Sequence, residues 1–177
     1  MKSWDQLRQE IANLNRPDQH DIVRRRKIDA LRQVTGRDLV IYAVDFVSPS
    51  PFKAQLAGNL MQISLSDKDG FDEVTRNLDG PDLDVLLHSP GGSAEATESL
   101  VDLLRARFQH IRFIIPSVAK SAATMMALSG DQLVMDELSE LGPTDPQMNF
   151  VRDGRLVTSP AQAIKDQFKA AQEDINT

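Results

Sequence analysis

The sequence contains no cysteine and only three histidines in 177 residues. A disulfide framework and a thiolate metal site are therefore excluded, and three histidines scattered along the chain do not form a cluster of metal ligands. The composition predicts no redox role, and we expect no metal or other cofactor.

Long apolar runs and a surplus of positive charge are missing as well. The opening residues, MKSWDQLRQEIANLNRPDQHD, lack the apolar core of a signal peptide, and no stretch approaches the ~18 to 20 apolar residues of a bilayer span. The 26 acidic residues outnumber the 20 basic ones, whereas affinity for phosphate backbones needs clustered Lys and Arg. We expect a soluble, cytoplasmic protein with no membrane span and no nucleic acid partner.

The chain has enough apolar residues, 41%, for one well-packed domain. Ahead of this domain, residues 3–14 show a short polar helical pattern, and a second helical pattern follows Pro17. We assign residues 1–36 to a helical N-terminal extension and residues 37–177 to the core domain. The chain stops inside a charged helical pattern, which leaves open whether the core domain is truncated at its C-terminus.

Apolar runs of strand length alternate with helical patterns in the core. LVIYAV at 39–44 is a continuous β-branched run that is typical of a strand covered on both faces. LDVLLH at 83–88 and IRFIIP at 111–116 flank a segment with apolar residues at helical spacing, which predicts a strand, helix, strand unit with parallel strands. A helix from Ser121 to Leu128 and the strand QLVMD follow. This alternation predicts a layered α/β domain.

Two further patterns predict where elements begin and end. MQISL at 61–65 predicts a short strand, and Ser66 is placed to cap a helix that runs through Leu78. Nearer the C-terminus, Ser159 and Pro160 are placed to cap and open another helix.

Two distinctive loops follow strands of the predicted sheet, which is where sites of α/β proteins form. In HSPGGSAEA, Pro90, Gly91 and Gly92 make a sharp turn whose N–H groups can face outward with no side chain in the way. In SVAKSAATM, Ser121 stands at the start of the next helix, beside the exposed N–H of Ala122. We expect both loops at the carboxyl edge of the sheet.

These loops contain parts that acyl transfer requires. A serine nucleophile must stand beside N–H donors aimed at the developing oxyanion, and Gly92 and Ala122 are in position to provide two. The alanines after Ser121 leave room for a peptide to come within attacking distance. The structural alternative is that Ser121 is a helix cap and the two glycines are an ordinary turn.

Five segments occur in an order that carries a resemblance: TGRDLVIYAV, LLHSPGGSAEA, AKSAATMMAL, DQLVMD and LGPTDPQ, together covering roughly residues 35–150. In these segments the chain resembles the Clp/crotonase-like serine peptidases, and within them the serine dehydrogenase proteinase group, which is related to signal peptide peptidase A. The resemblance implies an α/β Clp/crotonase-like spiral of ββα units. It also implies Ser121 as nucleophile and the N–H groups of Gly92 and Ala122 as the oxyanion hole.

The motifs do not place the general base. Clp proteolytic subunits use a histidine downstream of the serine, but His20, His88 and His110 all precede Ser121. Asp145 stands before a proline and is a typical turn residue, and His88 is better explained as a structural residue at a strand end. We assign the base to neither of them.

Relatives of signal peptide peptidase A use a lysine from a later segment, which must be desolvated or lie near another cation to accept a proton. The resemblance therefore implies Lys165 or Lys169, in the helical pattern SPAQAIKDQFKAAQEDI, as general base. The alternative for these two lysines is a solvated helix face. Lys120 adjoins Ser121, but neighbouring side chains at a helix start diverge, so Lys120 suits a surface or substrate contact.

The residues and the resemblance together predict a serine endopeptidase of Ser-Lys type that acts on peptides or unfolded proteins. The resemblance also implies a homo-oligomer. Two alternatives stay open: a crotonase-like enzyme that acts on acyl thioesters, whose N–H pair stabilises an enolate, and a catalytically silent oligomeric scaffold with the same fold. Labelling of Ser121 by a serine-directed probe separates them.

Overall fold

The computed structural model describes residues 3–47, 51, 61–145, 147–152, 154–160, 163, 165, 166 and 169. The described helices include α1 (Trp4–Leu14), α2 (Gln19–Thr35), α3 (Asp67–Thr75), α4 (Ala94–Arg107) and α5 (Ala122–Leu128). The described strands are β1 (Asp38–Ala43), β2 (Asp82–His88), β3 (His110–Ile115), β4 (Val118–Ala119), β5 (Gln132–Met135), β6 (Glu140–Leu141), β7 (Gln147–Arg152) and β8 (Arg155–Pro160).

A parallel sheet in the order β1-β2-β3-β5 forms the centre of the molecule. The buried core combines its inner strands with the helices that cover them: Leu83, Val85, Leu87, Leu100, Leu104, Ile111, Phe113, Ile115 and Met126. The strand, helix, strand unit predicted from the apolar runs is confirmed by β2, α4 and β3. Because the strands are parallel, β2 and β3 end at the same edge of the sheet.

A second, smaller layer of strand pairing lies beyond the carboxyl ends of the main strands. β4 pairs in parallel with β6, and Ser89, directly after β2, makes a parallel bridge with Ala119 of β4. The main strands β2, β3 and β5 are thus each followed by a short segment of this second layer, and α4 and α5 follow the first two. This repetition of strand, short strand and helix is the spiral of ββα units, and the fold is Clp/crotonase-like.

The N-terminal helices lie where the two helical patterns predicted them. Ser3 and Gln6 form a capping box at the start of α1, in which each side chain accepts the other's backbone N–H. α2 ends at Gly36, whose φ of 66° is left-handed. Among the described helices, none combines the length and the apolar character that crossing a bilayer requires. The domain boundary between residues 36 and 37 stays a prediction.

β1 differs from its prediction, because it is covered less than the run at 39–44 indicated. It is an edge strand that pairs in this sheet with β2, and Val40 is buried whereas Ile41 is 41% exposed. The prediction of two covered faces is wrong. Apolar, β-branched composition suits edge and inner strands alike, and the pairing partners decide which of the two a strand becomes.

The segment between β1 and β2 also departs from prediction. Residues 61–65 do not form a strand, since Ile63 alone makes a parallel bridge, with Gly92. Ser66 precedes α3 but its side chain makes no capping hydrogen bond, and the helix ends at Thr75 rather than continuing further. The predicted strand and cap are therefore wrong, because the segment is shaped by its contact with the glycine turn.

The sequence analysis missed the antiparallel hairpin of β7 and β8. Ser159 and Pro160, predicted to cap and open a helix, instead end β8, so that prediction is wrong. A signal for the hairpin was present: an Asp-Gly pair at 153–154 between two strand-like runs is a typical hairpin turn, and Gly154 has a φ of 72°.

Candidate active site

Ser121 lies between β4 and α5 with a strained backbone. Its φ of 51° and ψ of -123° lie outside the low-energy regions of a non-glycine residue, at a cost on the order of 1–3 kcal/mol. The Ser121 side chain makes no capping hydrogen bond to α5, whereas Ser93 at the start of α4 accepts the N–H of Ala96 at 3.1 Å. The Ser121 hydroxyl is therefore not a helix cap. Hydrolases expose nucleophilic serines on strained strand-to-helix turns of this kind.

Backbone hydrogen bonds join the loop after β2 to the loop after β3. The N–H of Ser89 donates to the carbonyl of Val118 at 3.2 Å, and the N–H of Lys120 donates to the carbonyl of Ser89 at 3.1 Å. These bonds make the bridge between Ser89 and Ala119. The residue before the Pro-Gly-Gly turn is thus tied to Val118 and Lys120, in the segment that leads into Ser121.

Gly91 shows how closely the two loops approach each other. A methyl group added at Gly91 would lie 2.5 Å from the carbonyl oxygen of Lys120, 2.9 Å from Cβ of Ser121 and 3.0 Å from the nitrogen of Ala122. Gly91 also has a left-handed φ of 96°. The expected meeting of the two loops is therefore realised, and it requires glycine at this position.

Gly92 is held from the opposite side by Ile63. The N–H of Ile63 donates to the carbonyl of Gly91 at 2.8 Å, and the N–H of Ser93 donates to the carbonyl of Ile63 at 2.9 Å. Because the described chain has no cis peptide bond, the N–H of Gly92 points opposite to the carbonyl of Gly91 and thus away from Ile63.

Two backbone N–H groups remain available at this junction. Within the part of the chain that the structure describes, neither the N–H of Gly92 nor that of Ala122 donates to a protein acceptor. The N–H of Gly91, by contrast, donates to the buried hydroxyl of Ser89 at 3.1 Å. Ala122 is the first residue of α5, where the partial positive charge of the helix end adds to that of the N–H.

The contacts of Lys120 do not suit a role in proton transfer. Its Nζ lies 2.7 Å from Oε2 of Glu140, and this hydrogen bond holds the pKa of the Glu140 carboxyl below its usual range. The stem of Lys120 lies against Gly142, where an added methyl group would meet Cδ at 2.3 Å. Lys120 therefore pairs with a surface carboxylate, in agreement with the surface contact suggested by its position.

His88 and Asp145 are the two residues that the sequence analysis weighed, and did not assign, as general base. Nδ1 of His88 accepts the N–H of Val118 at 3.4 Å, and its ring packs against Phe46 at a centroid distance of 5.0 Å. Asp145 is exposed in the segment that follows β6. His88 thus supports the junction of the two loops from the strand end, and neither residue is assigned as general base.

A model of the ClpP-like SDH-type serine proteinases matches residues 65–174, which is more than half of the chain. The chain belongs to this family. The resemblance stated from the five segments is thereby confirmed. The matched region includes the loop with the glycine turn and the loop with Ser121. It also includes the segment with Lys165 and Lys169.

Two curated relatives of this chain are uncharacterised proteins of Methanocaldococcus jannaschii. MJ0137 is 39% identical over 66 residues, which are 37% of this chain and 23% of the relative. MJ1495 is 36% identical over 99 residues, which are 50% of this chain and 34% of the relative. The chain thus spans about a quarter to a third of the length of the curated relatives that it matches.

Solved structures similar to this chain include two proteases. A mutant of the 1510-N membrane-bound stomatin-specific protease in complex with a substrate peptide is 24% identical, with 62% of this chain and 52% of that chain covered and a TM-score of 0.47. ClpP1 of Listeria monocytogenes is 14% identical, with 56% of this chain and 51% of that chain covered and a TM-score of 0.40. Both TM-scores lie below 0.5, so the family membership rests on the family model.

Lys165 and Lys169 lie at helical positions, and both side chains are exposed. Among the described residues, no hydrogen bond or ion pair joins either lysine to Ser121. The structure places the turn of Gly91 and Gly92 against the segment of Ser121 and Ala122, and the roles of these residues and of the two lysines stay predictions.

Sequence reasoning missed two residues that shape the site, Ser89 and Ile63. A signal existed for Ser89, because serine hydroxyls often bind backbone N–H groups two residues on, and Gly91 stands at that distance. No signal of that kind existed for Ile63, whose bridge to Gly92 joins segments far apart in the sequence.

Proposed function

We propose that the protein is a serine peptidase in which Ser121 is the nucleophile. Its Oγ attacks the carbonyl carbon of a peptide bond, and the N–H groups of Gly92 and Ala122 stabilise the oxyanion that forms. The amine leaves with the proton taken from Ser121, and water then hydrolyses the acyl-enzyme. The observation that carries this proposal is the contact of Gly91 with Ser121. The Ser121 hydroxyl does not cap α5, and the Ser121 backbone is strained.

The two N–H donors make the largest contribution to lowering the barrier of the proposed reaction. One oxyanion donor is worth about 2.7–4 kcal/mol of the barrier, provided that it is in place before the reaction. Gly92 is buttressed by Ile63, and Ala122 is anchored at the start of α5, so neither donor has to reorganise. The mechanism requires no metal and no nucleotide.

Lys165 or Lys169 is our proposal for the general base, which takes the proton of Ser121 and returns it to the leaving amine. A lysine accepts a proton only in its neutral form, and desolvation favours that form. Because both side chains are exposed here, we propose that substrate or a second copy of the chain covers the lysine that acts.

The proposed substrates are peptides or unfolded proteins, and the proposed working form is a cytoplasmic homo-oligomer. The exposed apolar side chains of β5 support the assembly, since large exposed apolar patches mark interaction sites. No nucleic acid or membrane partner forms part of the proposal.

A fluorophosphonate probe tests the nucleophile directly. The wild-type protein is expected to react with the probe and to cleave fluorescent casein. Ser121→Ala is expected to do neither. Ser66→Ala is the matched control, because Ser66 also precedes a helix without capping it. An unlabelled wild-type protein favours the silent scaffold, and thioester turnover that survives in Ser121→Ala favours the crotonase-like enzyme.

The base is tested with Lys165→Ala and Lys169→Ala. One variant is expected to lose about 10²-fold or more in kcat, as typical for a general base, while the other stays near the wild type. If both variants keep full activity, the lysine assignment is wrong, while Ser121 labelling still decides the nucleophile.

A further inference from the structure

The hydroxyl of Ser89 is a buried group that the proposed reaction does not touch. Ser89 is fully buried, and its Oγ accepts the N–H of Gly91 at 3.1 Å. Its backbone is held by β4, through the carbonyl of Val118 at 3.2 Å and the N–H of Lys120 at 3.1 Å. Ser89 is therefore fixed to the segment that leads into Ser121.

The bond between Ser89 and Gly91 decides which amide of the turn is left for an oxyanion. The N–H of Gly91 is used by Ser89, and the carbonyl of Gly91 is used by the N–H of Ile63 at 2.8 Å. The Ile63 bond sets the plane of the peptide between Gly91 and Gly92, so the N–H of Gly92 faces away from Ile63, and the Ser89 bond sets the preceding plane, between Pro90 and Gly91. With both bonds made, the turn has one orientation. Loss of the Ser89 hydroxyl leaves a buried N–H without its acceptor, which favours rotation of the turn.

We propose that Ser89 is a positioning residue for the oxyanion hole, because its hydroxyl holds the turn in the orientation that presents the N–H of Gly92. This inference rests on the proposed peptidase function of Ser121. An N–H donor contributes most when its direction is set before charge develops. The loss therefore falls on the transition state, so kcat decreases while KM changes little.

The test compares two buried hydroxyls in the full-length chain. Ser89→Ala is expected to lower kcat for casein cleavage about tenfold, less than the removal of a whole oxyanion donor, with KM within about twofold of the wild type. Thr97→Val is the matched control, because the Thr97 hydroxyl is also buried but donates within α4, to the carbonyl of Ser93 at 2.9 Å. Its kcat is expected to equal that of the wild type.

The inference is overturned if folded Ser89→Ala has the same kcat as the wild type. It is also overturned if kcat falls equally in Thr97→Val. If Ser89→Ala does not fold, Ser89→Cys takes its place with the same expectation, since a thiol fills the site but accepts hydrogen bonds weakly. Failure of the proposed function itself looks different. In that case the wild-type protein does not react with the fluorophosphonate, or Ser121→Ala keeps its activity.

Discussion

At the scale of single residues, the junction of the two loops depends on positions where a side chain has no room. Gly91 lies against the backbone of Lys120 and against Cβ of Ser121, and Gly92 lies against the backbone of Ile63. Backbone atoms cannot swing aside as the end of a flexible side chain can. The glycines are therefore required by the approach of the loops to each other.

Gly91→Ala tests this requirement. The new methyl group meets a carbonyl oxygen at 2.5 Å and the φ of 96° is unfavourable for alanine, so we expect a loss of at least about 2 kcal/mol in the free energy of unfolding. Fluorophosphonate labelling is expected to fall as well. Urea unfolding and labelling rates measure the two effects.

Gly70→Ala is the control for this substitution. Gly70 lies within α3 and has no atom within 4 Å of an added methyl group, so we expect a gain of about 0.5–1 kcal/mol and unchanged labelling. Equal stability of both variants would show that the loops do not approach as described.

Lys120 and Glu140 make a pH-dependent pair next to the candidate nucleophile. The hydrogen bond from Lys120 lowers the pKa of Glu140 from its ordinary value of 4.5. Because the folded-state pKa is the lower one, the pair contributes stability above pH 4.5, and this contribution is lost as the pH falls through the lowered pKa.

Lys120→Gln is therefore expected to raise the pKa of Glu140 towards its ordinary value. The measurement is an NMR titration of the side-chain carboxyl. Asp131 is the internal control, because its pKa is lowered chiefly by Arg105 and is expected to stay unchanged. An unchanged pKa of Glu140 in the variant would contradict the pairing.

At the scale of elements, a buried carboxylate joins three segments at the amino end of the sheet. Asp84 of β2 is fully buried, and its Oδ1 accepts Nε of Arg37 at 2.7 Å. Arg112 of β3 donates two hydrogen bonds to the same carboxylate, at 2.9 and 2.6 Å. Since Arg37 lies between α2 and β1, this cluster ties the end of the N-terminal helices to two inner strands.

Asp84→Ala removes the buried carboxylate that two largely buried arginines, Arg37 and Arg112, share. We expect a loss of about 3 kcal/mol in the free energy of unfolding, as for the breaking of a buried ion pair. Asp82→Asn is the matched control on the same strand, because Asp82 pairs with Arg37 and His110 at a partly exposed site and is expected to cost less than about 1 kcal/mol. Similar losses from both substitutions, measured in urea, would contradict this account.

At the scale of the whole molecule, the sheet ends on β5, a strand whose side chains all stay partly exposed. All four residues of β5 are exposed, on both faces, and Leu133, Val134 and Met135 are among them. Leu138 in the following turn is 84% exposed. An exposed apolar edge of this kind favours association with another chain.

Val134→Lys tests whether this edge is part of the proposed homo-oligomer. A lysine buried in an interface is costly, so we expect sedimentation velocity to show smaller species than for the wild type. Val74→Lys is the control, since Val74 is an exposed apolar residue on α3 and its change is expected to leave the assembly intact. A monomeric wild type, or an unchanged assembly of Val134→Lys, would show that β5 is not the interface.

Local signals in the sequence were sufficient for the central elements of the fold. The runs of β2 and β3 and the helical spacing of α4 predicted a parallel strand, helix, strand unit, and the structure confirms it. The loops with Gly92, Ser121 and Ala122 were predicted as neighbours, because parallel strands carry their following loops to one edge. Their catalytic roles stay predictions.

The failures share a physical origin in contacts between distant segments. The coverage of β1, the bridge of Ile63 and the end of α3 depend on which segments pack together, and composition does not report this. The assignment of Lys165 or Lys169 as general base stays a prediction, because a lysine becomes a base through its surroundings and not through its place in the sequence.

The sequence by itself determined the family, the central α/β unit and the two loops that carry the candidate chemistry, because these depend on residue types at short spacing. The tertiary structure decided that Gly91 touches Ser121, that the Ser121 hydroxyl does not cap α5, and that Ser89 and Ile63 hold the glycine turn. The contact of Gly91 with Ser121 and the bridge of Ile63 to Gly92 depend on distances between segments tens of residues apart, and only the packing of the whole chain sets such distances.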